Sequence, residues 1–266
     1  MKEFAYSRAT GLDDAVAKFK AGGEARYLSG GQTLIPVLKQ RLASPTDLID
    51  LGGIAGIADI IVDDRTVRIG AMATHTAVAG HAQIHAALPA LAELAGGIGD
   101  PHVRNRGTIG GSVANNDPAA DYPAAVLGLG ATVRTDRRQI AADAFFAGLF
   151  TTALAEGEIV TGVDFPVPKR AGYVKFHHPS SRFCLVAVLV SDGPKGVRVA
   201  VTGAGQEGVF RVPDMEAALA KGFSPDALDG IRVSPDNLLA DSHAQPDYRA
   251  HLIGVLAKRA VAKAIG

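Results

Sequence analysis

Apolar residues along the 266-residue chain recur with two different periods, and each period predicts a type of element. Where they recur every three to four positions, the first part of the chain is expected to be helical. These segments are 13–21, 34–42, 76–82, 89–95 and 123–129. Short runs of β-branched and aromatic residues predict strands instead. These are 25–28, 48–51, 131–134 and 159–165, together with a hairpin formed by 60–62 and 67–71.

Two segments lack either period. Residues 96–121 are dense in Gly, Asn, Asp and Pro, which predicts a long irregular segment of the kind that usually carries function. Residues 166–172, Pro-Val-Pro-Lys-Arg-Ala-Gly, are typical of a linker. After them the pattern predicts three strands followed by two helices, the last of them amphipathic. These are 173–176, 185–190, 197–201, 215–221 and 248–264. The pattern therefore predicts a mixture of strands and helices, with a domain boundary near residue 171.

Composition narrows the possible functions. The 27 Lys and Arg residues balance 27 Asp and Glu, so we expect no nucleic-acid partner, which would require a basic surplus. Cys184 is the single cysteine and can supply neither an internal disulfide nor the four ligands of an iron–sulfur cluster. The longest apolar run, 183–190, is far shorter than the roughly 20 residues needed to span a bilayer. With no signal-peptide core at the start, we expect a cytoplasmic protein without a membrane span.

Two glycine pairs are the main candidates for binding chemistry. The first lies in Leu28-Ser-Gly-Gly-Gln-Thr-Leu34, between a predicted strand and a predicted helix, and the second in Arg104-Asn-Arg-Gly-Thr-Ile-Gly-Gly-Ser112. Bare backbone N–H groups beside Ser and Thr hydroxyls can bind phosphate oxygens, and two such loops can hold one pyrophosphate from both sides. Taken singly, each pair is equally consistent with a tight turn.

Two further segments have competing interpretations. Residues 115–123, Asn-Asn-Asp-Pro-Ala-Ala-Asp-Tyr-Pro, offer groups that could bond a ribose or ribityl chain, or could form a turn in which Asp121 or Tyr122 caps the next helix. Residues 203–208 match the G-x-G-x-x-G pattern of Rossmann dehydrogenases. The residues after it are extended and end in Pro213, whereas that pattern requires a helix there. The Rossmann interpretation is therefore disfavoured.

Taken together, the motifs resemble the FAD-binding medium subunit of molybdenum hydroxylases, the family of xanthine dehydrogenase and aerobic carbon monoxide dehydrogenase. The subgroup of carbon monoxide dehydrogenase is the most similar. The resemblance is carried by the order and spacing of segments from nearly the whole chain. These are 29–36, 69–75, 104–112, 117–123, 173–176 and 179–183.

The resemblance implies a fold and a set of partners. Residues 1–171 would form an FAD-binding domain of the vanillyl-alcohol-oxidase (PCMH) type, with subdomains of about 1–55 and 56–171. Residues 172–266 would form a small C-terminal α+β domain, a sheet with helices on one face. A large subunit with molybdopterin would oxidise the substrate, and a small subunit with [2Fe-2S] clusters would relay electrons to the FAD of this chain. The complex would be a dimer of heterotrimers.

The resemblance also implies the residues that contact FAD, and it implies neither a catalytic residue nor a metal ligand in this chain. Backbone N–H and hydroxyl groups of the two loops would bind the pyrophosphate and ribityl chain. Asp121 would bond the polar tail with Asn115 nearby, Ile159 or Val160 would pack on a ring, and Lys175 would lie close to the flavin. Ser112 stands where family members often have Asn. The expected set is Leu28, Ser29, Gly30, Gly31, Gln32, Thr33, Leu34, Ile35, Gly107, Thr108, Ile109, Gly110, Gly111, Ser112, Asn115, Asp121, Ile159, Val160 and Lys175.

Two alternatives keep the same fold. A free-standing flavin oxidase would need a longer substrate domain than the residues after 171 provide. A scaffold that has lost FAD would have no need of two bare, phosphate-sized glycine loops.

Overall fold

The computed structural model describes residues 1–178 and 183–266. Residues 179–182, part of one segment that carries the family resemblance, lie outside this range. Among the described residues, no helix combines the length and the apolar character that crossing a bilayer requires.

The chain begins with a three-stranded parallel sheet in the order β1-β3-β2. Its elements are β1 (Ala5–Arg8), α1 (Leu12–Ala21), β2 (Ala25–Leu28), α2 (Leu34–Lys39) and β3 (Asp47–Asp50). Arg8 and Leu28 both pair with Asp50, so the two outer strands end at the same level of the sheet. The pattern of apolar residues does not predict β1, because this edge strand is mostly exposed and has no buried side chain.

A five-stranded antiparallel sheet follows, in the order β4-β5-β10-β6-β7. Its strands are β4 (Ile60–Val62), β5 (Thr66–Gly70), β6 (Thr132–Thr135), β7 (Gln139–Ala141) and β10 (Val160–Pro166). A small hairpin of β8 (Phe146–Gly148) and β9 (Thr151–Thr152) precedes β10. The central strand β10 is expected from the sequence because its residues alternate around the buried Val163 and Phe165.

Six short helices connect β5 to β6. They are α3 (His75–Gly80), α4 (Ala82–Ala87), α5 (Pro89–Gly96), α6 (Pro101–Arg104), α7 (Ile109–Asn115) and α8 (Tyr122–Gly128). The prediction of an irregular segment over 96–121 is wrong at α6 and α7. Side chains of Asp100 and Thr108 cap these two helices, accepting bonds from Val103 N and Gly111 N. Helix α6 has only four residues, and α7 contains two glycines, which disfavour a helix, so neither leaves a helical pattern in the sequence.

The last sheet has the order β11-β12-β13-β14. Its elements are β11 (Arg170–His177), β12 (Cys184–Gly193), β13 (Gly196–Thr202), β14 (Phe210–Arg211), α9 (Pro213–Lys221) and α10 (Pro246–Ile265). The predicted linker over 166–172 is wrong, since β10 extends to Pro166 and β11 starts at Arg170. Only three residues, 167–169, connect the two strands. After the glycine pattern at 203–208 comes β14 and not a helix, so this pattern is not a Rossmann loop.

Strand β12 is buried on both faces, which explains its unbroken apolar sequence. Val186, Val188 and Val190 join the core beneath α9 and α10. Ala187 and Leu189 point the other way and join the core of the preceding helices and five-stranded sheet. The C-terminal sheet therefore has its own helices on one face and packs its other face against the first part of the chain.

Candidate functional site

The two glycine loops meet in the folded chain. The hydroxyls of Ser29 and Thr108 lie 2.6 Å apart, although the residues are 79 positions apart in the sequence. A Cβ on Gly30 would lie 2.1 Å from the carbonyl oxygen of Arg106 and 2.8 Å from Cα of Gly107. Since no side chain can be accommodated at that distance, Gly30 is required for the two backbones to touch. Folding thus produces one junction, which we call the loop junction, from Ser29–Gly31 and Gly107–Gly111.

The first loop turns the chain from β2 into α2. Gly31 has φ of +72°, a conformation that glycine adopts more readily than any other residue. Ser29 is half-buried in the loop junction, whereas Gln32 and Thr33 are exposed. Thr33 occupies the cap position of α2, yet its hydroxyl forms no cap bond. The loop therefore presents polar groups at the surface next to bare backbone.

The second loop leads into α7. Thr108 Oγ1 accepts a bond from Gly111 N, 3.2 Å away, and so caps the helix. Gly110 packs so closely on the chain below that its Cβ would lie 2.5 Å from Cβ of Ala71. A Cβ on Gly111 would meet Thr108 Oγ1 at 3.0 Å and Ser29 at 3.7 Å, with no backbone atom among its closest neighbours. Gly110 is thus a packing glycine, and Gly111 leaves room beside the two hydroxyls.

Segment 71–75 supports the second loop from below. Three backbone hydrogen bonds connect this segment to the second loop. They run from Gly110 N to Ala71 O (2.9 Å), from Ile109 N to Ala73 O (3.1 Å) and from His75 N to Gly107 O (3.0 Å). The side chain of Met72 reaches the loop junction as well, with its sulfur 2.9 Å from Ser29 Oγ. This support was not predicted as part of the site, although 69–75 is among the segments that carry the family resemblance.

The loop junction fits a diphosphate group. Two hydroxyls, a helix start and a glycine without a side chain converge there, and these donors suit phosphate oxygens. The residues present therefore satisfy the requirements for binding the pyrophosphate of a dinucleotide.

A buried charged cluster lies at the start of α8. Lys175 Nζ is 2.9 and 3.0 Å from the two carboxylate oxygens of Asp121, and each side chain is 5% exposed. The hydroxyl of Tyr173 donates to the same carboxylate at 2.5 Å. Burial raises the pKa of Asp121, while the ammonium of Lys175 and the hydroxyl of Tyr173 act to lower it. The side chain of Asp121 does not cap α8 as one interpretation of the sequence proposed, because it is bonded to β11 instead.

A cavity of about 260 Å³ adjoins this cluster. Lys175, His177 and Lys263 line it together with Glu93, and Lys263 pairs with Glu93 at 2.6 Å. The backbone oxygen of Gly97 accepts a bond from Lys175 at 3.3 Å and closes one side. Lys175 therefore borders open space even though its side chain is nearly buried.

The other predicted residues occupy different places. Ser112 and Asn115 lie half-buried on α7, one turn apart. Ile159 and Val160 are buried in the protein core, Ile159 with Ala15 and Ile49 beneath the three-stranded sheet and Val160 in the five-stranded sheet. Leu28, Leu34 and Ile35 are half-buried around the first loop.

Asn116, beside the predicted Asn115, is the more deeply placed amide. It is fully buried, ends α7 in a left-handed conformation with φ of 45°, and donates to Gly148 O and Thr151 O at 2.8 and 2.9 Å. These bonds attach the β8–β9 hairpin to the end of α7. The preference of Asn for left-handed helix ends was the sequence signal that could have identified it.

His75 is a second residue that the sequence analysis missed. Its side chain is 5% exposed, and its ring lies 5.3 Å from that of Tyr122, the residue after Asp121. Burial, with a smaller contribution from the charge of Arg104, lowers the pKa of His75 from 6.5 to about 4. The imidazole is therefore neutral at neutral pH.

This shift predicts an acid-sensitive stability. Between pH 6.5 and about 4 the unfolded chain binds a proton at His75 that the folded chain does not bind, so the free energy of unfolding falls as the pH falls. The loss attributable to His75 is about 3 kcal/mol at pH 4. Denaturant titrations of the wild type and of His75→Phe at pH 7 and pH 4.5 would measure it. Equal losses in both proteins would contradict the prediction.

The comparison with known families identifies the fold. The model described as "FAD binding domain in molybdopterin dehydrogenase" matches residues 2–168. The chain belongs to this family. Because that match covers the three-stranded sheet, the five-stranded sheet and both glycine loops, the chain is an FAD-binding oxidoreductase subunit of the PCMH type.

Relatives share nearly the full length. The nicotine 6-hydroxylase medium subunit of Paenarthrobacter nicotinovorans is 33% identical, over 97% of this chain and 96% of its own. The carbon monoxide dehydrogenase medium chain of Afipia carboxidovorans is 34% identical, over 98% and 96%. The solved structure of reconstituted CO dehydrogenase from Oligotropha carboxidovorans superposes with a TM-score of 0.88 at 32% identity, covering 99% of this chain and 98% of that one. The similarity to the carbon monoxide dehydrogenase subgroup and the C-terminal fold predicted from the sequence are thereby confirmed.

Proposed function

We propose that this chain holds FAD at the loop junction and transfers electrons through it within a molybdenum hydroxylase complex. The observation that supports this most directly is the contact between Ser29 and Thr108, because it brings the two glycine loops together at one point. Bound FAD would supply redox chemistry that accepts single electrons and delivers pairs. The protein's part is to bind, orient and set the local charge.

The residues divide into two groups under this proposal. Backbone and hydroxyl groups of Gly30–Thr33 and Thr108–Ser112 would bind the pyrophosphate and ribityl chain, with Leu28, Leu34 and Ile35 around the first loop. Asp121 would bond the polar tail of the cofactor, and Lys175 would lie close to the flavin. The ammonium of Lys175 would favour negative charge on that ring, and Asp121, which accepts a bond from Tyr173, holds the ammonium in place.

The partners are also part of the proposal. A molybdopterin-containing large subunit would oxidise carbon monoxide, a purine, an aldehyde or an N-heterocycle, and a small subunit with [2Fe-2S] clusters would deliver the electrons. The final acceptor would be a quinone, NAD or oxygen. Relatives named as medium subunits support the need for further chains. Cys184 supports it too, since this single thiol is 4% exposed and cannot ligate a cluster alone.

We further propose that the chain divides near residue 171 into the FAD-binding domain and the C-terminal domain. The change of sheet between β10 and β11 and the end of the family match at residue 168 support this division. The C-terminal domain would supply Tyr173 and Lys175 to the flavin-binding site.

The experiment is a titration of the purified chain with FAD. We expect quenching of flavin fluorescence, one FAD per chain, and visible flavin absorption that persists through gel filtration. A chain that keeps no flavin under these conditions would contradict the proposal. Co-purification from the native source, followed by iron and molybdenum analysis, tests the partners separately from the cofactor.

A further inference from the structure

His75 contacts the loop junction without belonging to it. Its Nε2 is 2.5 Å, and its Cδ2 2.8 Å, from where a Cβ on Gly107 would lie, so the imidazole edge packs directly against that glycine. Its backbone N–H bonds Gly107 O, and the preceding Thr74 forms a β-bridge with Thr108. The ring of His75 and the backbone of Thr74 and His75 therefore hold the second loop in position.

The far side of the ring faces Tyr122. Within residues 1–178 and 183–266, His75 Nδ1 and the hydroxyl of Tyr122 are both buried without a hydrogen-bond partner. Neither of these two polar groups gains a hydrogen bond from its position. The imidazole ring is a flat, rigid group that packs against both Gly107 and Tyr122. Tyr122 is the neighbour of Asp121.

We propose that His75 is a positioning residue for FAD: its ring supports Gly107 and Thr108 at the height at which the loop junction binds the pyrophosphate. This rests on the proposed function. The contact is steric, so the ring matters more than its nitrogens. The same contact accounts for the missing side chain at residue 107, since the glycine has an ordinary φ and the two atoms nearest to a Cβ there belong to the His75 ring, with Val103 O next at 3.0 Å.

The test compares three variants by FAD dissociation constant and by the ³¹P resonances of bound FAD. His75→Ala removes the support, and we expect it to weaken binding by about tenfold or more and to shift the phosphorus resonances. His75→Phe restores a ring, and its affinity should lie within about threefold of the wild type. Val78→Ala is the matched control, because Val78 is fully buried on the same helix, whereas the atoms nearest to a Cβ on Gly107 belong to His75 and Val103.

A double mutant tests the direct contact. Gly107→Ala alone should weaken FAD binding, whereas Gly107→Ala combined with His75→Ala should weaken it by less than the product of the two single effects. If His75→Ala fails to fold, His75→Leu, which keeps bulk without a flat ring, takes its place, and an affinity equal to that of His75→Phe would overturn the role of the ring.

The outcomes separate this inference from the proposed function. A wild-type chain that binds no FAD would end both. A wild type that binds FAD, with His75→Ala and Val78→Ala equal in affinity and in phosphorus shifts, would leave the function standing and overturn the role of His75. Loss of affinity in His75→Phe equal to that in His75→Ala would overturn the steric role as well.

Discussion

Gly111→Val is expected to abolish FAD binding while the chain remains folded. The new side chain would project beside the hydroxyls of Ser29 and Thr108, where the pyrophosphate is proposed to lie. A Cβ here would lie 3.0 Å from Thr108 Oγ1, so this hydroxyl has to shift by a few tenths of an ångström while it continues to cap α7. We therefore expect an affinity loss of about 100-fold or more, equivalent to about 2.7 kcal/mol, and only a small loss of stability.

The measurement is a fluorescence titration with FAD alongside a denaturant titration of the apoprotein. Gly254→Val is the matched control, because a Cβ at this position of α10 meets nothing within 4 Å. Both substitutions add the same side chain to a helix, so their cost in helix propensity is comparable. Full flavin occupancy in Gly111→Val would show that the pyrophosphate does not lie at the second loop.

Lys175→Met is expected to destabilise the protein more than any surface charge substitution. It leaves the carboxylate of Asp121 buried with Tyr173 as its remaining partner. Removing one member of a buried ion pair typically costs about 3–5 kcal/mol, because the other charge stays desolvated and uncompensated. Adding Asp121→Asn should recover part of this loss, since the pair is then removed as a unit.

Denaturant titrations at pH 7 would give the free energies of unfolding of both variants. Lys263→Met is the control: this lysine pairs with Glu93, but both side chains are nearly half exposed, so the expected loss is about 0–1 kcal/mol. A loss for Lys175→Met as small as that for Lys263→Met would mean that water reaches Asp121 and compensates its charge. The double variant being less stable than Lys175→Met would contradict the coupling between the two residues.

Local sequence patterns were sufficient for many elements. Strand β10 and helix α10 are predicted from their own periodicity, because the apolar residues of each buried face recur often enough to show the period. The patterns failed at β1, whose exposed edge gives no periodic signal, at α6, which has only four residues, and at α7, whose two glycines disfavour a helix. They also failed at 166–172, because the prolines there lie at a strand end and in the connection between strands.

In the candidate site, too, some features follow from the sequence and others only from the folded structure. Glycine pairs and hydroxyls are visible in the sequence, since their conformational and bonding properties belong to the residues themselves. The sequence does not show whether a glycine permits close packing or leaves open space. A Cβ on Gly110 would clash with Ala71, whereas the nearest atoms to a Cβ on the adjacent Gly111 belong to Thr108 and Ser29. Likewise, Asp121 could equally be a helix cap until β11 brings Lys175 and Tyr173 to it.

By itself, the sequence determined the family and the positions of the two glycine loops, because the order and spacing of motifs are visible without coordinates. Only the tertiary structure decided that the two loops form one junction, that Asp121 and Lys175 are a buried pair, and that His75 lies beneath Gly107. Each of these is a contact between residues at least 32 positions apart. Such contacts depend on how sheets and helices pack, and packing is a property of the whole folded chain rather than of any local segment.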